Sequence, residues 1–108
     1  GPLVSQQQLE KVAGYLSEVR HSDDVSLLCG GDIDFDSALS GGYYVSPAVV
    51  VTDNEAHAVV TDEVFGPVMS VLKFSDEADV VSRANSTKRG LAAAVFSQNF
   101  SLAHRVAK

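Results

Sequence analysis

The chain has no tryptophan and only one cysteine, Cys29. One thiol cannot form an intramolecular disulfide, which excludes a disulfide scaffold and fits a reducing, cytoplasmic setting. Positive charge is also scarce. Eight Lys and Arg stand against 14 Asp and Glu in 108 residues, for a net charge of −6. The basic residues are scattered, and such a surface repels phosphate backbones, so no nucleic-acid partner is expected. No apolar run approaches the roughly 20 residues that cross a membrane. No membrane partner is therefore expected. The first residues lack the basic-then-apolar order of a secretory signal, so no such signal is expected either. No Walker, Gly-x-Gly-x-x-Gly or Gly-x-Ser-x-Gly pattern occurs.

What remains is an ordinary globular balance, with 45% hydrophobic and 20% charged residues. The length predicts a single domain over residues 1–108 with one modest core. A helix is expected from Ser5 to about Arg20. Leu9, Val12, Leu16 and Val19 share one face, and Ser5 with Gln8 forms a capping box. Strands are expected at Val25–Cys29, at Tyr43–Val51 with a bulge or edge at Pro47, and at Val68–Phe74. Ala58–Thr61 reads as a short extended piece or turn. Ser75 should cap a helix to about Ala84 with Ala78, Val81 and Ala84 inward. Leu91–Phe96 reads as a strand covered on both faces, and Asn99 or Ser101 as the cap of a last helix. Strands alternating with helices predict an α/β fold with a mostly parallel sheet and flanking helices.

Several chemistries can be weighed residue by residue. Asp32, Asp34 and Asp36 alternate as at the start of a calcium loop. The sixth and twelfth positions are Ser37 and Tyr43 rather than Gly and Glu, so a solvated acidic loop is expected. His21, His57 and His104 have no ligand spacing, so no metal site is expected. Cys29 has no neighbouring base or cation in sequence and reads as a buried structural cysteine. The segment Asp62-Glu63-Val64-Phe65-Gly66-Pro67-Val68 is different. One residue separates Glu63 from Phe65, so on extended backbone their side chains point to one side. Gly66 permits close approach, and Pro67 fixes a turn. A carboxylate holds ribose hydroxyls and a ring stacks on a flat heterocycle. The plainer reading is an exposed Glu beside a core Phe, and the residues alone favour it.

The blocks Gly1-Pro2-Leu3-Val4-Ser5, Gly14-Tyr15 and Leu27-Leu28-Cys29-Gly30-Gly31 stand in order along the chain. Gly42-Tyr43-Tyr44-Val45-Ser46-Pro47 and Glu63-Val64-Phe65-Gly66-Pro67-Val68-Met69-Ser70-Val71-Leu72 follow. Arg83-Ala84-Asn85-Ser86-Thr87 and Gly90-Leu91-Ala92 come last. In this order they resemble the NAD(P)-dependent aldehyde dehydrogenase superfamily, in particular its betaine-aldehyde and trimethylaminobutyraldehyde branch. The resemblance covers essentially the whole chain and implies a three-layer-like fragment of the catalytic domain. The chain departs from the family pattern at Arg89, where an aromatic is usual, at Asp62, where Glu is common, and in its acidic loop.

The resemblance assigns Glu63 to the nicotinamide-side ribose and Phe65 to the nicotinamide region. It brings Gln8 and Lys11 to the cofactor's other ribose. The cofactor implied is NAD or NADP, bound weakly or not at all by this chain alone. The family's nucleophilic cysteine, base glutamate and oxyanion asparagine match no residue here, and Cys29 matches a family cysteine that is not the nucleophile. No catalytic residue is therefore assigned, and the chain is expected to be inactive alone. The parent reaction implied is oxidation of an aldehyde to a carboxylate. The alternatives are a stand-alone binding or self-association module, and one half of a split dehydrogenase. A homo-oligomer, or association with a dehydrogenase chain, is expected.

Overall fold

Ser5 starts the first helix. Its backbone is extended and its hydroxyl accepts from the Gln8 N–H, satisfying one of the unpaired amides of the first turn. The expected reciprocal half of the capping box is not made, because the Gln8 side chain is engaged elsewhere. Helix α1 runs Gln6–His21 and buries Leu9, Val12, Leu16 and Val19, the apolar stripe read from the sequence. The computed structural model describes residues 1–33 and 41–108. Asp34, Asp36 and Ser37 of the acidic stretch lie outside the described residues.

Strand β1 (Val25–Cys29) pairs antiparallel with β2 (Ala48–Thr52), with a register shift between Leu27 and Cys29. Strand β2 pairs parallel with β3 (Val68–Val71), aligning Ala48 with Val68 and Val50 with Ser70. The sheet order is β1-β2-β3. The α/β class is as expected. The sheet itself is mixed, since one of its pairings is antiparallel where a mostly parallel sheet was expected. Pro47 ends the approach to β2, which begins at Ala48 rather than Tyr43 because proline supplies no ladder N–H. The turn out of β1 passes through Gly30 at φ +72, and a Cβ there would lie 1.7 Å from the Pro47 carbonyl oxygen.

Between β2 and β3 stands a one-turn helix, α2 (Ala58–Thr61), where an extended piece or turn was expected. Its N-cap is His57, whose Nδ1 accepts from the Val59 N–H at 3.1 Å. One face of the sheet, α1 and α2 share a core of Val12, Leu16, Val19, Val25, Ala48, Val50, Val59 and Val64. Burying each of the valine and leucine side chains contributes about 1.5–3 kcal/mol. On the opposite face Leu28 and Met69 are exposed.

The chain divides into two compact units, Gly1–Lys73 and Phe74–Lys108. The second holds α3 (Glu77–Ala84) and α4 (Phe100–Val106). Asp76 caps α3 rather than Ser75, accepting from the Asp79 N–H at 2.9 Å. Ser75 instead donates its N–H to Asp79. Of the two expected caps, Asn99 rather than Ser101 caps α4. The stretch Leu91–Phe96 is not a strand, and Leu91 and Phe96 are exposed. Ala78, Val81 and Ala84 are exposed as well, and α3 buries no residue. Both expectations needed apolar cover, which the described residues of this unit do not supply. Arg105 grips Glu77 bidentately at 2.6 Å, and Arg83 meets Asp79 at 2.8 Å.

Candidate functional site

The segment Asp62–Gly66 connects α2 to β3 and lies along the N-terminal half of α1. Three residues of that helix hold its backbone and its first side chain. Gln8 Nε2 donates to the Val64 carbonyl at 2.8 Å and to the Phe65 carbonyl at 3.1 Å. Lys11 Nζ donates to the Glu63 carbonyl at 3.1 Å. The Tyr15 hydroxyl donates to Asp62 Oδ2 at 2.9 Å. Successive carbonyls from Glu63 to Phe65 thus accept from side chains on one helix face, because positions 8, 11 and 15 project together at helical spacing.

Packing fixes the far end of the loop. A Cβ on Gly66 would lie 2.5 Å from Val12 Cγ2, and Val12 is fully buried. Glycine is therefore required where the loop crosses the helix. Val64 enters the core. Pro67 then gives its carbonyl to the Ala48 N–H at 2.8 Å and leads the chain into β3.

Held in this way, Phe65 takes φ +53, a left-handed conformation that costs a non-glycine residue about 1–3 kcal/mol. Its ring is 70% exposed. The expectation of a core phenylalanine is thus corrected: the loop places Val64 inward and turns the Phe65 ring to solvent. The Lys11 ammonium stands 5.7 Å from the Phe65 ring centroid and 5.9 Å from that of Tyr15, within reach of cation–π attraction to both. Glu63 is exposed on the same loop.

The structure therefore brings Gln8, Lys11, Glu63 and Phe65 into one neighbourhood on the first unit. The arrangement offers an exposed ring, a carboxylate and a cation beside one another, a donor set suited to a flat heterocycle and sugar hydroxyls. The Gln8 amide donors and one Lys11 donor are already committed to the loop. What these two residues offer a ligand is the Gln8 Oε1 and the remaining N–H groups of Lys11.

Sequence reading missed Tyr15 and Asp62 as partners. The signal was present, since Tyr15 follows Lys11 by four residues on the same face. It also missed the role of His57. That ring is buried, and its Nε2 lies 3.2 Å from Ser22 Oγ. Because Nδ1 accepts from a backbone N–H, the neutral ring carries its proton on Nε2 and donates to the serine. His57 is therefore a cap and not a base for Ser22. Cys29 is exposed, against the expectation of a buried thiol, because it lies at the strand end beyond the register shift. Among the described residues no group of three or more His, Cys, Asp or Glu could hold a metal ion. No helix among them is long and apolar enough to cross a membrane.

The aldehyde dehydrogenase family model matches residues 1–108. Betaine aldehyde dehydrogenase of Mesorhizobium japonicum is 45% identical over 106 residues, spanning 98% of this chain and 22% of that protein. Human 4-trimethylaminobutyraldehyde dehydrogenase is 44% identical over 108 residues, again 98% of this chain and 22% of its own length. The crystal structure of Staphylococcus aureus betaine aldehyde dehydrogenase with NAD+ superposes with a TM-score of 0.89 at 30% identity, covering 99% of this chain and 21% of that one. The chain thus spans about a fifth of the length of the relatives it matches, and it belongs to the aldehyde dehydrogenase family.

Proposed function

We propose that this chain supplies one wall of the nicotinamide-dinucleotide site of a betaine-aldehyde-like dehydrogenase. The supporting observation is the loop Asp62–Gly66, clasped to α1 so that Glu63 and the exposed Phe65 ring face outward together. Glu63 would hold the hydroxyls of the nicotinamide-side ribose and Phe65 would contact the nicotinamide. Lys11 and the Gln8 carbonyl oxygen would approach the other ribose. A bound nicotinamide dinucleotide, NAD or NADP, supplies the hydride acceptor for aldehyde oxidation. The residues here bind and orient it. Cys29 is not the nucleophile in this reading, because it aligns with a family cysteine outside the catalytic position.

A ring stack and a pair of ribose hydrogen bonds contribute only a few kcal/mol after the cost of association, so affinity near the millimolar range is expected. Titrating NAD+ into the 108-residue chain and its Glu63→Ala variant tests this. Weak binding that the variant abolishes supports the reading. Binding that is indifferent to Glu63, or no binding at all, contradicts it. Micromolar affinity lost in the variant would keep the site and overturn its weakness. The pure chain should produce no NADH from betaine aldehyde, and detectable turnover would refute that expectation.

The exposed apolar side chains favour a second reading alongside the first. Leu28, Met69, Leu91, Phe96 and Phe100 are all open to solvent. Leu28 and Met69 stand on the first unit and the other three on the second, and exposed apolar surface on either unit drives association. We propose that the chain self-associates or pairs with a dehydrogenase chain, and sedimentation as a clean monomer over a wide concentration range would sink this.

A further inference from the structure

Tyr15 is assigned no role by the resemblance, yet it touches both halves of the clasp. Its hydroxyl donates to Asp62 Oδ2 at 2.9 Å, at the residue directly before Glu63. Its ring stands 5.9 Å from the Lys11 ammonium, the same ammonium that donates to the Glu63 carbonyl and lies 5.7 Å from the Phe65 ring. One side chain thus braces the loop entrance directly and, through Lys11, the loop's middle.

The rest of the loop explains why such a brace is needed. Phe65 is held at φ +53, a conformation it would leave if freed. Gln8 secures the carbonyls of Val64 and Phe65, and Val12 packs on Gly66, so the exit is fixed. At the entrance, the Asp62 N–H closes the α2 turn by donating to the Ala58 carbonyl at 2.9 Å. The orientation of the Glu63 side chain then depends on the peptide planes on either side of it. Tyr15 acts on the first plane through Asp62, and Lys11 acts on the second through the Glu63 carbonyl.

We propose that Tyr15 is a positioning residue that sets the direction in which Glu63 and Phe65 present their side chains. It does so through Asp62 with its hydroxyl and through Lys11 with its ring. The proposal rests on the nucleotide reading for its consequence but not for its geometry.

Two substitutions separate the contributions in the full chain. Tyr15→Phe keeps the ring over Lys11 and removes the hydroxyl, whereas Tyr15→Leu removes both. Loss of one hydrogen bond of this kind is expected to weaken NAD+ binding about threefold to tenfold. The same loss should raise amide exchange at Glu63, Val64 and Phe65 by about as much, with α1 and β2 exchange unchanged. Asp62→Asn retains a side-chain oxygen acceptor and should preserve both readouts, and Asp62→Ala should reproduce Tyr15→Phe. If no form binds NAD+, the nucleotide reading fails while exchange still decides the positioning role. Faster exchange confined to the loop supports the proposal. Unchanged exchange in Tyr15→Phe, or acceleration spread equally over α1 and the sheet, overturns it.

Discussion

The two units of this chain carry similar patterns with different outcomes. In Gly1–Lys73 the apolar stripe of α1 lies against the sheet, and Val12, Leu16, Val19 and Val50 are almost completely buried. In Phe74–Lys108 the helices are capped and ion-paired, yet neither buries a residue. Both units have helical periodicity, but only the first contains a surface for its apolar face to cover. A cap is worth about 0.5–2 kcal/mol and an i,i+4 ion pair about 0.3–0.5 kcal/mol, far below a packed core. The candidate site belongs to the cored unit, and that is what allows it to hold an exposed aromatic in a left-handed conformation.

The sharpest way to break this comparison is to cut into each unit. Leu16→Ala should destabilise the first unit by about 2–5 kcal/mol, the range for deleting a fully buried leucine. Phe96→Ala, at a side chain 94% exposed, should stay within about 0.5 kcal/mol. Chemical denaturation of both variants reads the difference, and equal losses would mean that the second unit has a core of its own.

A smaller effect tests the seam between α1 and the loop. Gly66→Ala should cost about 1–3 kcal/mol, because its new methyl would overlap Val12. Combining it with Val12→Ala should recover part of that loss in a double-mutant cycle. Simple additivity would show that the two do not press on one another.

His57→Ala removes the α2 cap and the contact to Ser22, and should cost about 1–2 kcal/mol. The effect should appear in the first unit's thermal transition.

The smallest expected effect is on the second unit in acid. Bonds from the Ser75 N–H and Arg83 hold the Asp79 carboxyl below its ordinary range, and Arg105 does the same for Glu77. Carboxylates depressed on folding stabilise the fold above their unfolded pKa, near pH 4, and lose that contribution as pH falls through their lower folded values. Helical circular dichroism of Asp79→Asn should therefore lose part of the acid transition below about pH 4 that the parent shows. The same transition in both would place its origin elsewhere.

The sequence was most legible where one short-range rule decided the outcome. Ser5 and Asn99 are caps as read, and the stripe from Leu9 to Val19 is buried as its spacing implied. Legibility failed where tertiary contact decided. A histidine ring capping α2 depends on burial beside Ser22, and histidine is not a usual cap. The run Leu91–Phe96 has strand composition, but a strand forms only where neighbours pair with it. Glu63, Phe65, Gln8 and Lys11 were reached through the family resemblance. Composition alone placed Phe65 in the core, because nothing local favours a left-handed phenylalanine. The bonds from Gln8 and Lys11 and the Val12–Gly66 contact help that conformation hold.

The most direct test of the account maps nucleotide contact onto the chain. Assigned amide spectra recorded during NAD+ titration should show shifts concentrated at Gln8, Lys11, Tyr15 and Asp62 to Gly66, with the second unit unmoved. Shifts centred on Phe74–Lys108, or none up to millimolar NAD+, would contradict it.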